Sequence, residues 1–223
     1  MIDADVYGFS IPRMIGVTRR PVIVDELLIP PRTHGVAVIS VAPFASDEQT
    51  PIIWRGPMLH KALQQFVHDV YWGTPDIVLI DMPPGTGDVA LTMAQILPLS
   101  EVVVVTTPQP AAQKVAQRAA YMARKVNLAV TGVIENMSWF TANDGERYEL
   151  FGAGGGEMLA QQLEVPLLGQ VPLVPALREG SDTGQPVVAS DPEGEAARAV
   201  DAVAERLLAA TVRRRSLPLL RVT

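Results

Sequence analysis

The stretch DIVLIDMPPGTGD, from Asp76 to Asp88, decides how this chain folds. Ile77, Val78, Leu79 and Ile80 form an unbroken apolar run, which predicts a strand buried on both faces of a parallel sheet. The run ends in a carboxylate, Asp81. Pro83, Pro84, Gly85 and Gly87 then forbid both strand and helix and force a loop. In doubly wound α/β folds, ligands sit just past the carboxyl ends of the strands, where Asp81 and this loop fall. An acid held there, beside backbone amides freed by glycines, suits a hydrated Mg²⁺ next to a phosphate. The plainer reading is a strand end and a tight turn, with Asp81 capping the next segment. On this stretch alone both readings stay open, the nucleotide ahead.

Working outward, the flanking segments supply the rest of an α/β fold. Upstream, Val17 to Arg32 predicts an irregular connection with a short edge strand, and Gly35 to Ala42 (GVAVISVA) a strand. Met58, Leu59, Ala62, Leu63, Phe66, Val67 and Val70 keep helical spacing, with Lys61, His60 and His68 among the surface positions. Downstream, Asp88 is placed to cap a helix from about Val89 to Leu97. Glu101 to Thr107 is the clearest β-branched strand, a helix follows from Ala111 to about Val126, and Leu128 to Ile134 forms the next strand. That strand delivers Glu135-Asn136-Met137-Ser138 to its carboxyl end. Asn143-Asp144-Gly145 predicts a hairpin turn between Trp139-Phe140 and Tyr148. Gly152 to Gly156 opens a helix to about Leu163, but no Lys-Ser or Lys-Thr pair follows it, so the run reads as structural or flexible and not as the main nucleotide site. A strand over Val165–Val171, a proline-rich loop through Pro172, Pro175 and Gly180, and a helix from Pro192 to Ala210 complete the chain. This alternation predicts a doubly wound, mostly parallel sheet flanked by helices. It also predicts one nucleotide-binding domain over residues 1–210 and a tail over 211–223.

Composition narrows the chemistry. The chain has 223 residues, enough for one full core, with 48% hydrophobic and 19% charged residues, the balance of a globular protein. No apolar run reaches the roughly 18 residues that cross a membrane, and no signal-peptide pattern opens the chain, so a cytoplasmic location without membrane contact is expected. There are 0 cysteines, which excludes thiolate metal sites, disulfides and cysteine nucleophiles within these residues. A net charge of −6 argues against a nucleic-acid partner.

The first residues repeat the theme of an acid at a strand end. Ile2-Asp3-Ala4-Asp5 looks like the end of a strand with almost no strand before it. Residues two apart on a strand share a face, so Asp3 and Asp5 would both face one ligand if the extended geometry persists. Two like charges so placed are easier to explain beside a cation. The plainer reading is an exposed acidic turn.

Five motifs in register now carry a resemblance: DADVYGFSIPRM (Asp3 to Met14), TPIIWRGPM (Thr50 to Met58), DMPPGTGD (Asp81 to Asp88), IENMS (Ile134 to Ser138) and FGAGGGE (Phe151 to Glu157). Together they are similar to the Mrp family, deviant P-loop ATPases related to the MinD and ParA group and described as iron–sulfur cluster carriers. The resemblance runs from Asp3 to about Pro192. It implies a P-loop NTPase-like fold and an ATP- and Mg²⁺-dependent protein of iron–sulfur cluster assembly or transfer, working as a homodimer on iron–sulfur client proteins. By resemblance, Asp81 is the acid that holds Mg²⁺ through water, Asp5 the catalytic acid that orients the attacking water, and Asp3 a support for that loop. Gly85 and Gly87 match a γ-phosphate switch, and Asn136 the residue that reads the adenine edge. For Asn136 the plainer role is a strand-end side chain satisfying loop backbone groups.

Two departures bear on activity. The family's lysine-rich glycine loop would precede the segment that begins here, and the lysines Lys61, Lys114 and Lys125 follow no glycine loop. An N-terminally truncated reading frame, with Met1 an internal methionine or a miscalled start, is therefore expected, as is very poor ATP hydrolysis by these residues alone. Many relatives also place a Cys-x-x-Cys pair between the Asn-Met-Ser and Phe-Gly-Gly segments; here the region reads Thr141 to Tyr148 without cysteine. Iron–sulfur ligation in the usual manner is then unavailable. Two alternatives stay beside the ATPase reading: a non-catalytic dimerisation and binding module, and a MinD- or ParA-like positioning ATPase.

Overall fold

The computed structural model describes residues 1–5, 8–41, 56–84 and 87–215, without the side chains of 56–57, 88 and 212–215. Val6, Tyr7, Gly85 and the Thr50–Arg55 part of the second motif therefore lie outside the described residues. The chain divides into two compact units. One comprises Met1–Ser100 and Pro175–Ser190, the other Glu101–Val174 and Asp191–Thr223.

The first unit is organised around two short parallel strands, β1 (Ile2–Asp3) and β6 (Ile80–Asp81), whose register sets Ile2 beside Ile80 and Asp3 beside Asp81. Between them lie α1 (Ile11–Met14), strands β2 (Val22–Val24), β3 (Leu27–Ile29), β4 (Arg32–Thr33) and β5 (Val36–Ala37), and helix α2 (Gly56–His68). After β6 come α3 (Asp88–Ile96), α6 (Pro175–Thr183) and α7 (Val187–Ser190). Helix α2 forms as its spacing predicts, and buries Leu59, Leu63 and Phe66 against Ile2, Ile39 and Met93. Covering each such side chain contributes roughly 1.5–3 kcal/mol. Gly16 and Gly184 meet where α1 packs on α6. Both have positive φ (73° and 70°), and a Cβ on Gly16 would lie 2.4 Å from the Gly184 carbonyl oxygen.

Four expectations are corrected here. Ile77 and Leu79 are 56% and 53% exposed, so the apolar run is not buried on both faces. Only Ile80 and Asp81 form a strand, paired with β1; the Leu79 carbonyl accepts from the Ile2 N–H at 2.8 Å, but the side chains of Ile77, Val78 and Leu79 stay about half exposed. The segment from Val17 to Arg32 holds an antiparallel hairpin, β2–β3, followed by a second, β4–β5. In α3, Gly87 occupies the cap position and Asp88 is already the first helical residue, one position later than the cap expected there. The proline-rich segment also contains two helices, α6 and α7. Pro175 sits at the first helical position, where its missing N–H costs nothing.

The second unit is a three-stranded parallel sheet in the order β11 (Leu167–Val171), β8 (Ala129–Asn136), β7 (Glu101–Thr106). Helices α4 (Pro110–Lys125), α5 (Gly155–Gln162) and α8 (Glu195–Arg215) pack on it. Helix α4 turns Ala116, Ala120 and Ala123 inward, small side chains that let it approach the sheet closely, and ends in Arg124 and Lys125, favourable at a helix C-terminus. A hairpin of β9 (Phe140–Thr141) and β10 (Arg147–Tyr148) turns at Asn143-Asp144-Gly145 as its sequence predicts, with Gly145 at φ 85°. No helix among the described residues is long and apolar enough to cross a membrane.

Candidate functional site

Parallel pairing of β1 and β6 sets two acids side by side. Ala4 N–H donates to the Asp81 carbonyl at 2.9 Å, and Asp3 N–H to the Ile39 carbonyl at 2.9 Å, which fixes both strand ends. Asp3 has no exposed surface. Its Oδ2 accepts from the Ser40 hydroxyl at 3.2 Å and its Oδ1 from the Asp5 N–H at 3.3 Å. The second contact turns the chain at Asp5, so the extended geometry that would have aimed Asp3 and Asp5 the same way ends at Asp3. Asp3 holds the loop instead of facing outward. Asp5 Oδ1 in turn accepts from the Gly8 N–H at 3.0 Å, and a Cβ on Gly8 would stand 2.8 Å from Asp5 Oδ2. Gly8 thus fixes the carboxylate from the other side. Neither Ser40 nor Gly8 was marked by the sequence reading; for Gly8, the D-x-x-G spacing of an acid-anchored turn was the available signal.

Two of these carboxyls, Asp3 and Asp81, are shifted by burial and by a neighbouring acid. Burial, and then the Asp81 charge, push the Asp3 carboxyl up to about 6, against the pull of the Ser40 hydrogen bond. Burial followed by the Asp5 charge raises Asp81. Concentrated negative charge of this kind attracts a cation. No group of three or more His, Cys, Asp or Glu side chains among the described residues is arranged as a ligand cage, however. Few direct protein ligands and a shell of retained waters is the way Mg²⁺ is usually held beside phosphates, so Asp81 and Asp5 fit a hydrated Mg²⁺ better than a caged Ca²⁺ or Zn²⁺. Gly85 lies outside the described residues. Gly87 has extended backbone (φ −80°, ψ −170°) and open space where a Cβ would stand, so no contact within the described chain demands glycine there.

Asn136 ends β8 in the second unit. Its Oδ1 accepts from the Met137 N–H at 2.9 Å, and Met137 takes φ 57°. This is the plainer strand-end role; the amide nitrogen has no partner among the described residues and keeps two donors. Its neighbour Glu135 is fully buried, a charged residue the sequence reading passed over. Glu135 Oε2 accepts from the Gly156 N–H and Oε1 from Gln170 Nε2 at 2.7 Å. A Cβ on Gly156 would lie 2.6 Å from the Glu135 Cβ, and one on Gly155 would strike the Pro108 carbonyl. Gly155 and Gly156 are thus required by packing, whereas Gly152 and Gly154 have open space beside them and take left-handed backbone (φ 84° and 72°).

The model of the ParA family described as NUBPL iron-transfer P-loop NTPase matches residues 1–208. The chain belongs to that family. Among its relatives, the iron-sulfur cluster carrier protein of Mycobacterium tuberculosis (strain H37Rv) is 49% identical over 97% of this chain and 58% of its own length. That of Bacillus subtilis (strain 168) is 51% identical over 78% of this chain and 49% of its own length. The chain thus spans about half the length of the curated relatives it matches. Among solved structures, the ADP-bound nucleotide-binding protein of Archaeoglobus fulgidus superposes with TM-score 0.71 at 33% identity, covering 87% of this chain and 75% of that one. The Mg-ADP complex of MinD from Pyrococcus horikoshii reaches TM-score 0.63 at 22% identity, a likeness of fold alone. The expected α/β P-loop NTPase fold and the iron–sulfur carrier family are both borne out, and the positioning-ATPase alternative is not favoured.

Proposed function

We propose that this chain is the magnesium- and nucleotide-binding part of an ATPase acting in iron–sulfur cluster assembly or transfer. It would work in the cytoplasm as a homodimer that hands clusters to client proteins. The observation that carries this reading is the Asp3–Asp81 register on β1 and β6, with Asp5 turned in beside them. Bound Mg²⁺ would neutralise charge on the phosphates. Asp81 would hold the ion through its waters. Asp5, fixed by Gly8, would orient the attacking water, and Asp3 would brace the turn that carries Asp5. Gly85 and Gly87 would bring the first amides of α3 to the γ-phosphate, and the side-chain amide of Asn136 would read the adenine edge. These assignments also fit the relatives' names and the bound ADP of the Archaeoglobus protein.

A second reading has one specific observation behind it. All of the lysines sit on helices, Lys61 on α2 and Lys114 and Lys125 on α4, so none is on a phosphate-cradling loop. Without that clamp these residues bind nucleotide and hydrolyse it poorly, acting as a binding and dimerisation module. Calorimetric titration with ATP, with and without Mg²⁺, tests both. Mg²⁺-dependent binding weakened about tenfold or more by Asp81→Asn is expected, with turnover several orders of magnitude below that of longer relatives. Binding indifferent to both Mg²⁺ and Asp81→Asn would sink the site; turnover matching the relatives would sink the module reading.

A further inference from the structure

The end of β8 is held more firmly than a strand end needs, and by a costly group. Glu135 is fully buried, and none of the ion pairs among the described residues includes it. Its carboxylate relies on two neutral donors, the Gly156 N–H of α5 and Gln170 Nε2 of β11 at 2.7 Å. A buried carboxylate without a cation is expensive, and an apolar side chain would join the same elements at less cost. What the group positions explains it better than what it stabilises.

The clamp continues through the next three residues. The Glu135 carbonyl accepts from the Ser138 hydroxyl at 3.0 Å. Ser138 is itself buried, and its N–H donates to the Val171 carbonyl at 3.0 Å. Held at both ends, the chain turns tightly in between, and Met137 takes left-handed backbone (φ 57°). A non-glycine residue keeps that conformation only where its surroundings impose it. The turn lays the Met137 N–H on Asn136 Oδ1 at 2.9 Å. This bond settles which end of the Asn136 amide is oxygen, since a reversed amide would set N–H against N–H.

For a purine, that orientation matters. Adenine's pairing edge sets an acceptor at N1 beside a donor at N6, and guanine's sets a donor at N1 beside an acceptor at O6. An amide free to turn over can match either edge; an amide pinned in one orientation matches one and opposes the other. We infer that Glu135 is the positioning residue for base selection: through the Ser138 turn it keeps the Met137 N–H on Asn136 and so stops the amide from turning over to accept guanine. The inference rests on the proposed reading of the adenine edge by Asn136 and adds what makes that reading selective.

Calorimetric titration of the 223-residue chain with Mg·ATP and with Mg·GTP tests this. The parent should prefer ATP, and Glu135→Ala should cut that preference about tenfold or more. Glu135→Gln should restore it, because the new amide oxygen accepts from the Gly156 N–H while Gln170 turns its own amide to accept from the new nitrogen. Adding Asn136→Ala to Glu135→Ala should cost no further preference, as for residues that act through one contact. Should Glu135→Ala not fold, Gln170→Ala removes one of the two donors from an exposed position and should lower the preference in the same direction. Amide exchange at the Met137 N–H, read without nucleotide, should quicken in whichever of these two variants folds. A preference for ATP that survives the variant, a Gln replacement that fails to restore it, a further loss in the double variant, or unchanged Met137 exchange would each overturn this inference alone. A parent that binds both nucleotides equally, or neither, would overturn the adenine role of Asn136 along with it.

Discussion

Asp3 is a fully buried acid whose carboxyl is pushed up to about 6 from 3.8, so its charged form is a liability in the fold. The native state holds the proton more tightly than the unfolded chain between those values. Its contribution to stability is therefore complete below about pH 4 and is lost as pH rises through 6, roughly 3 kcal/mol in all. Asp3→Asn keeps both partners, because Ser40 can turn to accept from the new amide while the amide oxygen still accepts the Asp5 N–H. The variant should melt several degrees higher than the parent at pH 7.5 and level with it at pH 4, by thermal unfolding without Mg²⁺. A gain that is the same at both pH values would show that Asp3 titrates ordinarily. The acid positions were legible in the sequence, because an apolar run that stops at an aspartate is a local pattern. Ser40 was not, since it reaches Asp3 from 37 residues away and only the fold brings it there.

Elements with a strong period were legible; elements fixed by their neighbours were not. Helix α2, strand β7 and the Asn-Asp-Gly hairpin follow directly from spacing and turn chemistry. The β2–β3 hairpin turns at Asp25-Glu26, which lacks the glycine that marks such a turn, and α6 and α7 hide among prolines that sit harmlessly at helix starts. Helix α8 runs on to Arg215 where periodicity had it end near Ala210. The β9–β10 hairpin carries a prediction of its own. Glu195, at the start of α8, accepts at one oxygen from Trp139 Nε1 at 2.9 Å and Thr141 Oγ1 at 3.1 Å. Arg147 lies 3.4 Å from the same oxygen and stacks 4.6 Å over the Trp139 ring. Arg147 is largely exposed, so its ion pair adds little, and the two neutral donors matter more. Glu195→Ala should cost roughly 1–2 kcal/mol. It should also speed amide exchange at the Ala142 N–H, which donates to Glu146 across the hairpin at 2.9 Å, while β8 exchange changes only with the global loss. Equal acceleration in both would mean that the hairpin has no separate anchor.

On the scale of the whole molecule, the inventory of residues constrains function as firmly as the fold does. The relatives are named as cluster carriers, and clusters are ordinarily held by soft thiolates, yet these 223 residues contain 0 cysteines. The hairpin between Ser138 and Phe151 offers Glu146, Arg147, Tyr148 and Glu149 in their place, hard oxygen donors and a cation. The hairpin region from Ser138 to Phe151 contains no histidine either, and His60 already meets the Thr92 hydroxyl at 3.1 Å. Anaerobic reconstitution of this chain with ferrous iron and sulfide should therefore leave less than about a tenth of an equivalent of cluster after desalting, with no charge-transfer absorption near the visible region typical of iron–thiolate centres. Adding Mg·ATP should not change that, because the proposed nucleotide site would supply carboxylates and amides but no thiolate. A stoichiometric, chromatographically stable cluster would show that oxygen and nitrogen ligands suffice here, and would return cluster carriage to these residues themselves.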